Sequence, residues 1–409
     1  MLPSGWNRTT IGESASFLTG FAFASAGFET SGIRLLRGSN VKRAVVDWNP
    51  EITQHWARSD TALRRYELKA GDIVIAMDGA LVGRSFARIS ERDLPAYLVQ
   101  RVARLRGNTV DQSLLYTWIT SKAFSAHIDS LKTNSAIPHL SPHDIRGFAF
   151  ISPSSTDEQR LIATAIDDIT DFIVSLERLI AKKQAIKQGM LQQLLTGTTR
   201  LPGFDAPWAP TVIGSLGSLF KGRGVKRDDV RPSGVPCIRY GELYTTFHDY
   251  TDVTVSFVSN DVAATALPIV EGDLLFAGSG ETKAEIGTCV AYVGRSAAAA
   301  GGDIIVLRAP KVNAIFLASL LNTPEVAAMK ASSGQGDAVV HINARAIGAL
   351  RVDLPGRSEQ DAIARVIVDG DQELVALVAR LVAVRNIKQG MMQELLTGRT
   401  RLKTVEAAA

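Results

Sequence analysis

The sequence predicts a mixed α/β protein: two similar α/β domains joined by two long helices, packed as an antiparallel intramolecular coiled coil with pseudo-two-fold symmetry. Three observations carry that expectation. Ile186–Leu201 recurs as Ile387–Leu402, identical at thirteen of sixteen positions and offset by 201. A period that long marks a duplicated domain pair rather than a solenoid. Fainter echoes keep nearly the same offset: Trp6 and Trp208, Gly71-Asp72 and Gly272-Asp273, His139-Leu140 and His341-Ile342, Glu158-Gln159 and Glu359-Gln360. Finally, each copy divides into a Gly-rich part with short strand-like runs and a proline-free part with helical periodicity.

The elements follow in order. Residues 1–153 form the first α/β domain; Asp72-Ile-Val-Ile-Ala76 is an apolar burst of strand length, and Asp111 to Ile128 reads as a helix. Residues 154–200 form the first long helix. Ser155 stands three residues before Glu158, a pattern in which hydroxyl and carboxylate each satisfy an end N–H, and Pro202 follows the stop. Residues 201–356 repeat the α/β domain, with Asp303-Ile-Ile-Val-Leu307 as a strand and Asn313 to Lys330 as a helix interrupted at Pro324. Residues 357–402 repeat the long helix, and 403–409 are a tail.

The apolar positions of the first long helix are Ile162, Ile166, Ile169, Ile173, Leu176 and Ile180, spaced 4-3-4-3-4. That a/d seam, about 3.5 residues per turn, requires a partner helix along its length. The second helix repeats it with Ile363, Ile367, Gly370, Leu374, Leu377, Leu381 and Val384. Some forty residues of helix span about 60 Å, more than a small globule buries on itself. Each seam has a ready partner in the other copy. Only Gly197 to Trp208 links the first helix to the second domain, so the second helix has to run back along the first.

Composition narrows the function classes. Of 409 residues 46% are hydrophobic and 21% charged, which excludes a disordered chain. Lys and Arg number 45 against 41 Asp and Glu, a net +4 that permits a polyanionic partner without requiring one. No apolar run approaches about eighteen residues, and the start lacks the layout of an export signal. Two cysteines, Cys237 and Cys289, are too few for a disulfide framework or a Cys-based zinc site. These counts point to the cytoplasm, with no membrane partner.

At this point the sequence resembles the specificity (S) subunit of type I restriction–modification enzymes. The resemblance rests on Leu35-Leu-Arg-Gly-Ser-Asn-Val41, Gly71-Asp-Ile-Val-Ile-Ala-Met-Asp-Gly79, Gly272-Asp-Leu-Leu-Phe-Ala-Gly-Ser-Gly280, Ile137-Pro-His-Leu140 and the twin Lys-Gln-Gly-Met…Leu-Leu-Thr-Gly helix ends, in that order across essentially the whole chain. It departs in the second copy, where Arg239-Tyr-Gly-Glu-Leu243 replaces Arg37-Gly-Ser-Asn-Val41. The resemblance implies a non-catalytic subunit. Each α/β domain would be a target-recognition domain reading one half of a split site in double-stranded DNA. The helix pair would set the spacing and dock two methyltransferase (M) subunits, with restriction/translocase (R) subunits joining later. S-adenosylmethionine, ATP and Mg²⁺ would serve those partners; no cofactor or metal is expected in this chain.

DNA reading needs cations and small donors for phosphates and planar or amide side chains for base edges. Residues 1–153 hold 18 Lys and Arg against 13 acids, a net +5, whereas 201–356 hold 13 against 15, a net −2. The candidates in the first domain are Arg34, Arg37, Asn40, Lys42 and Arg43, with Arg84, Lys132, Asn134 and His139. In the second, Lys221, Arg223, Lys226 and Arg227 lie in a Gly-rich loop whose backbone can approach phosphate. Arg239, Tyr240, Lys283, Gln335 and His341 complete the set. Each has a bland reading as well: a basic loop is often merely solvated, and Lys132-Thr-Asn-Ser135 or Ser332-Ser-Gly-Gln335 are ordinary turn residues.

Three enzyme readings are weak, two of them because the other copy lacks the motif. Phe276-Ala-Gly-Ser-Gly280 fits an S-adenosylmethionine loop, but the first copy reads Ile75-Ala-Met-Asp-Gly79 and the chain has no Pro-Pro catalytic motif. Asp273 with Glu281-Thr-Lys283 fits a metal-dependent nuclease, yet no Glu-x-Lys follows Asp72. His139 and His143 are separated by Pro142, and no Walker loop is present. The rival class is a coiled-coil scaffold with two ligand- or peptide-binding domains and no DNA role.

Overall fold

The computed structural model describes residues 2–57, 60–79, 82–131, 139–336 and 339–402. The chain divides into two units, residues 1–177 with 379–409 and residues 178–378. Mixed α/β layers and two 40-residue helices, Thr156–Leu195 and Arg357–Leu396, match the expected class.

In the first unit an antiparallel sheet runs in the order Ala15–Thr19, Val102–Gly107, Ile73–Ala76, Phe86–Arg88. A second sheet orders Phe28–Glu29, Gln54–Trp56, Ile33–Leu36 and Ala96–Leu98, and a ribbon pairs Trp6–Thr10 with Ala149–Pro153. Ile73–Ala76 is buried on both faces, which is why it reads as an unbroken apolar run rather than an alternation. The second unit repeats this plan. Its main sheet orders Ser218–Lys221, Ile304–Arg308, Asp273–Ala277, Cys289–Tyr292 and Tyr250–Thr251, and the ribbon pairs Ala209–Val212 with Arg351–Leu354.

One expected helix divides. Asp111 caps Gln112–Ile119, and a second helix spans Lys122–Leu131. Between them the Thr120 and Ser121 hydroxyls donate to the Thr117 and Trp118 carbonyls, 2.9 and 2.6 Å, and the Ser121 hydroxyl accepts the Phe124 N–H. Such local bonds compete with helix continuation without any proline. In the second unit the break falls at Pro324, the first residue of Pro324–Ser332.

Each unit contains the start of one long helix and the end of the other. In the first, Ile162, Ala163 and Ile166 share a core with Trp6, Phe148, Leu395 and Leu396. In the second, Ile363, Ala364 and Ile367 pack with Leu194 and Leu195, and Trp208 lies against them. The segments run in opposite directions within each unit. Glu158 binds Arg401 and Glu177 binds Arg385 in the first; Lys183 binds Glu373, Lys187 binds Asp371 and Arg200 binds Glu359 in the second. Ile162, Ile166, Ile173, Leu176, Ile180, Ile363, Ile367, Leu381 and Val384 are buried, while Ile169, Leu374 and Leu377 are half-buried. Gly370 leaves room beside the Lys187 stem, 3.5 Å from where a Cβ would stand.

The expected capping box is only half made. The Glu158 N–H reaches the Ser155 hydroxyl at 3.4 Å, but the Glu158 carboxylate accepts two bonds from Arg401, 2.5 and 2.7 Å. A guanidinium fork outcompetes one backbone N–H for a nearly buried carboxylate. The Arg401 guanidinium also lies 5.7 Å from the Trp6 ring centroid. The other copy repeats the arrangement: Arg200 gives two bonds of 2.6 Å to Glu359 and lies 5.7 Å from Trp208. The Glu-Gln echo is explained too. Gln159 bridges the Asp111 N–H and Pro153 carbonyl, as Gln360 bridges Asn313 and Pro355.

Leu396, with its neighbours on the same helix end, thus completes a core whose remaining residues, Trp6 to Ile166, lie more than 200 positions earlier. Leu396→Ala is expected to lower unfolding stability by about 3 kcal/mol in denaturant titration. Ile387→Ala, at an exposed position of the same helix, is expected to stay within about 0.5 kcal/mol.

Candidate nucleic-acid interface

The ends of the central strands position the site. Asp72 immediately precedes the Ile73–Ala76 strand and is held by Arg106, whose Nη2 lies 2.8 Å from its carboxylate; Arg308 grips Asp273 with bonds of 2.8 and 2.7 Å. Those hydrogen bonds raise both guanidinium pKa values. Asp273 is therefore a structural anchor, held as Asp72 is in the other copy. Beyond the strand, Ser279–Gly280 pairs with Val340–His341, and a Cβ on Gly278 would meet the Asp303 carbonyl at 2.8 Å. The segment that resembles a cofactor loop is a strand pressed on its neighbour.

At this strand end each unit gathers a histidine and charged or hydroxyl groups. In the first unit Asp78 bridges to His139, whose Nδ1 lies 3.3 Å from an Arg101 Nη1. Arg101 is exposed and has φ +68°, a left-handed conformation that costs an L residue about 1 kcal/mol. The loop at Gly38 closes on Asp78, 3.3 Å from where a Gly38 Cβ would stand. In the second unit a cleft of about 240 Å³ brings together Lys221, Ser279, Asp303, Gln335, His341 and Asn343. The Ser279 hydroxyl and His341 Nδ1 are 2.8 Å apart, and Gln335 and His341 exchange backbone bonds of 3.0 and 2.8 Å. Lys221, Gln335 and His341 were expected here; Asp78, Arg101, Ser279 and Asp303 were not. The left-handed backbone of Arg101 has no signature in an Arg codon, and Asp303 reads as a strand start.

Other candidates are placed differently. Asn40 is fully buried: it accepts the Arg37 N–H and donates to the Asp47 carbonyl, so it shapes the loop and is not free to touch DNA. Arg34 is likewise spent internally, donating to the Arg92 and Leu94 carbonyls at 2.9 and 2.8 Å over the Trp48 ring. Arg239 binds the buried Glu242 at 3.0 Å. Arg37 and Lys42 are half-buried, and Arg43 is exposed on the same loop. Arg84 pairs with Asp129 at 3.0 Å. Gly83 packs on Ile128 as Gly287 packs on Lys330; the Ala76 N–H donates to the Ser85 carbonyl as Ala277 does to Thr288, so Ser85 matches Thr288 and Lys283 is not the counterpart of Arg84. Arg223, Lys226, Arg227, Tyr240 and Lys283 are exposed. Gly222 serves packing rather than phosphate approach, since a Cβ there would stand 2.0 Å from the Gly301 carbonyl. Lys132 and Asn134 lie outside the described residues.

One buried cation escaped the sequence reading. Lys330, 1% exposed, lines a cavity with Tyr244, His248, Asp249 and Asn322, and its Nζ bonds the Gly287 carbonyl. Its stem replaces the Ile128 side chain of the other unit against the matching glycine, so its role is packing. Among the described residues no group of three or more His, Cys, Asp or Glu is placed to hold a metal, and no helix is long and apolar enough to cross a membrane.

The fold is that of type I restriction–modification S subunits. The solved S subunit from M. genitalium superposes with a TM-score of 0.60 over 97% of this chain and 98% of its own, at 14% identity. By sequence the chain is 34% identical over 166 residues to the type I restriction enzyme EcoAI specificity subunit of Escherichia coli, covering 40% of this chain and 28% of that protein. It is 24% identical over 211 residues to the MjaVIII specificity subunit of Methanocaldococcus jannaschii, covering 50% and 48%. The matches thus span about a quarter and about half of these curated relatives. No family model matches the chain.

Burial pushes Lys330 down to about 8, from 10.5. Between those values the unfolded chain holds a proton that the folded chain has released, so stability rises with pH through this window. Relative to Lys330→Met, the wild type is expected to gain about 2 kcal/mol between pH 7 and 10 in paired denaturant titrations. A flat difference would contradict the assignment.

Proposed function

We propose that this chain is the DNA-sequence-recognition subunit of a type I restriction–modification complex and catalyses nothing itself. The domains 1–153 and 201–356 each read one half of a bipartite site. The long helices 154–200 and 357–402 act as an antiparallel coiled-coil spacer with approximate two-fold symmetry. The observation that carries the reading is the duplicated frame: the same Arg–Glu–Trp contact closes both units, and each ends its central strand in an exposed polar cluster centred on a histidine. The fold likeness extends over nearly the whole chain.

The helices also carry apolar side chains on their outer surface. In the first unit these include Val382 and Ile387, and in the second Ile186, Val375 and Val378. Exposed apolar stripes of this kind mark a docking surface, here for two M subunits, with R subunits completing a cytoplasmic complex. S-adenosylmethionine, ATP and Mg²⁺ belong to those partners.

Two reading heads on one frame meet a DNA face that repeats every 10–10.5 base pairs or so, about 34–36 Å. Co-expression with the partner methyltransferase, followed by mapping of methylated adenines, is expected to give a split motif with an unread gap. Matched insertions in both long helices should lengthen that gap and leave both half-sites unchanged. A contiguous motif, or a lengthened variant that keeps the original gap, would overturn the reading.

A further inference from the structure

The two histidine-centred clusters occupy the same place in the duplicated frame and carry different chemistry. Backbone hydrogen bonds establish the correspondence. The Met77 N–H donates to the Arg101 carbonyl at 2.9 Å, as Gly278 does to Asp303 at 2.7 Å. The Leu140 N–H donates to Met77 and Ile342 to Gly278, 2.7 and 2.9 Å. Gly20 donates to Val102 and Gly222 to Ile304, 3.0 and 2.7 Å. Arg101 therefore matches Asp303, Asp78 matches Ser279, and Thr19 matches Lys221, while His139 and His341 stand on the same rung.

We infer that this position is the specificity switch of each unit, with Arg101 selecting a guanine in one half-site and Asp303 selecting a base with an exocyclic amino group, cytosine, in the other. The inference rests on the DNA-reading role proposed above and extends it to named contacts. Framework positions keep their chemistry between the copies: Asp72 with Arg106 matches Asp273 with Arg308, and Glu158 with Arg401 matches Glu359 with Arg200. At one exposed point of that shared frame the charge inverts from a guanidinium to a carboxylate. Packing does not require the inversion, because both side chains are solvent-exposed.

The chemistry of each group narrows its target. A carboxylate is repelled by phosphate, so at a DNA surface Asp303 is useful only at a base edge, where it accepts from the cytosine amino group. A guanidinium can hold phosphate or bond both guanine O6 and N7. Arg101 sits on a left-handed backbone with His139 Nδ1 at one Nη, a fixed presentation that a diffuse phosphate contact does not need. Around Asp303, Lys221 supplies the phosphate attraction that the carboxylate lacks, and the Gln335 amide lies at the same cleft.

The test uses the full chain assembled with its methyltransferase subunits and a duplex library randomised in both half-sites. Arg101→Lys keeps the charge and loses the fork; Arg101→Gly relieves the backbone and should be at least as thermally stable as the wild type. Both are expected to reduce preference for guanine at one position of one half-site at least tenfold, with the other half-site unchanged as an internal control. Asp303→Arg is expected to replace the preferred cytosine by guanine at one position of the other half-site. Equal weakening across all sequences, with the salt slope reduced by about one, would make Arg101 a phosphate anchor and overturn the inference. So would unchanged motifs in all three variants. A wild-type complex with no bipartite preference would instead overturn the DNA-reading role itself.

Discussion

The structure depends on how each long helix ends. Arg401 lies between the Glu158 carboxylate and the Trp6 ring, and Arg200 between Glu359 and Trp208. Both glutamates are almost entirely shielded from water, so each needs a charged donor with fixed geometry, and an arginine fork supplies it. The Leu-Leu pair one turn earlier fills the core beside each tryptophan. The sixteen-residue repeat is therefore an interlock: its apolar and charged groups complete a unit begun by the opposite copy. The Leu-Leu-Thr-Gly-x-Thr-Arg run keeps its leucines and arginine for contacts that a free helix end would not require.

Much of this plan is legible in the sequence. The offset of 201, the seam and the Gly-Asp strands each correspond to a packing demand that repeats along the chain. Periodicity reports such demands because burial is enforced at every turn of the helix. What escaped is local competition for hydrogen bonds. The break after Ile119 arises from two hydroxyls, Thr120 and Ser121, donating to the carbonyls three residues before them. Glu158 was expected to close its own helix end, but the arginine that takes it lies 243 residues away.

The DNA candidates divide along the same line. Residue type and loop context single out Lys221, Gln335 and His341, which the fold brings to one cleft. They also drew in Asn40, Arg34 and Arg239, whose polar groups are consumed by neighbouring backbone or carboxylate. A cation or amide in a turn scores alike whether its partner is inside or outside the protein. Arg101, Asp78 and Asp303 emerged only from the hydrogen-bonded frame.

The interlock also orders the birth of the protein. The second unit is one continuous stretch, residues 178–378, whereas the first joins residues 1–177 to residues beyond 378. A chain emerging from the ribosome can bring Leu194, Leu195 and Arg200 to the start of the second helix as soon as that helix is made. Trp6 and Glu158 must wait for Leu395, Leu396 and Arg401, which are made only after the whole of the second unit. The unit begun earlier in the chain is thus the later to close, and until then its apolar seat for Leu395 and Leu396 stays open.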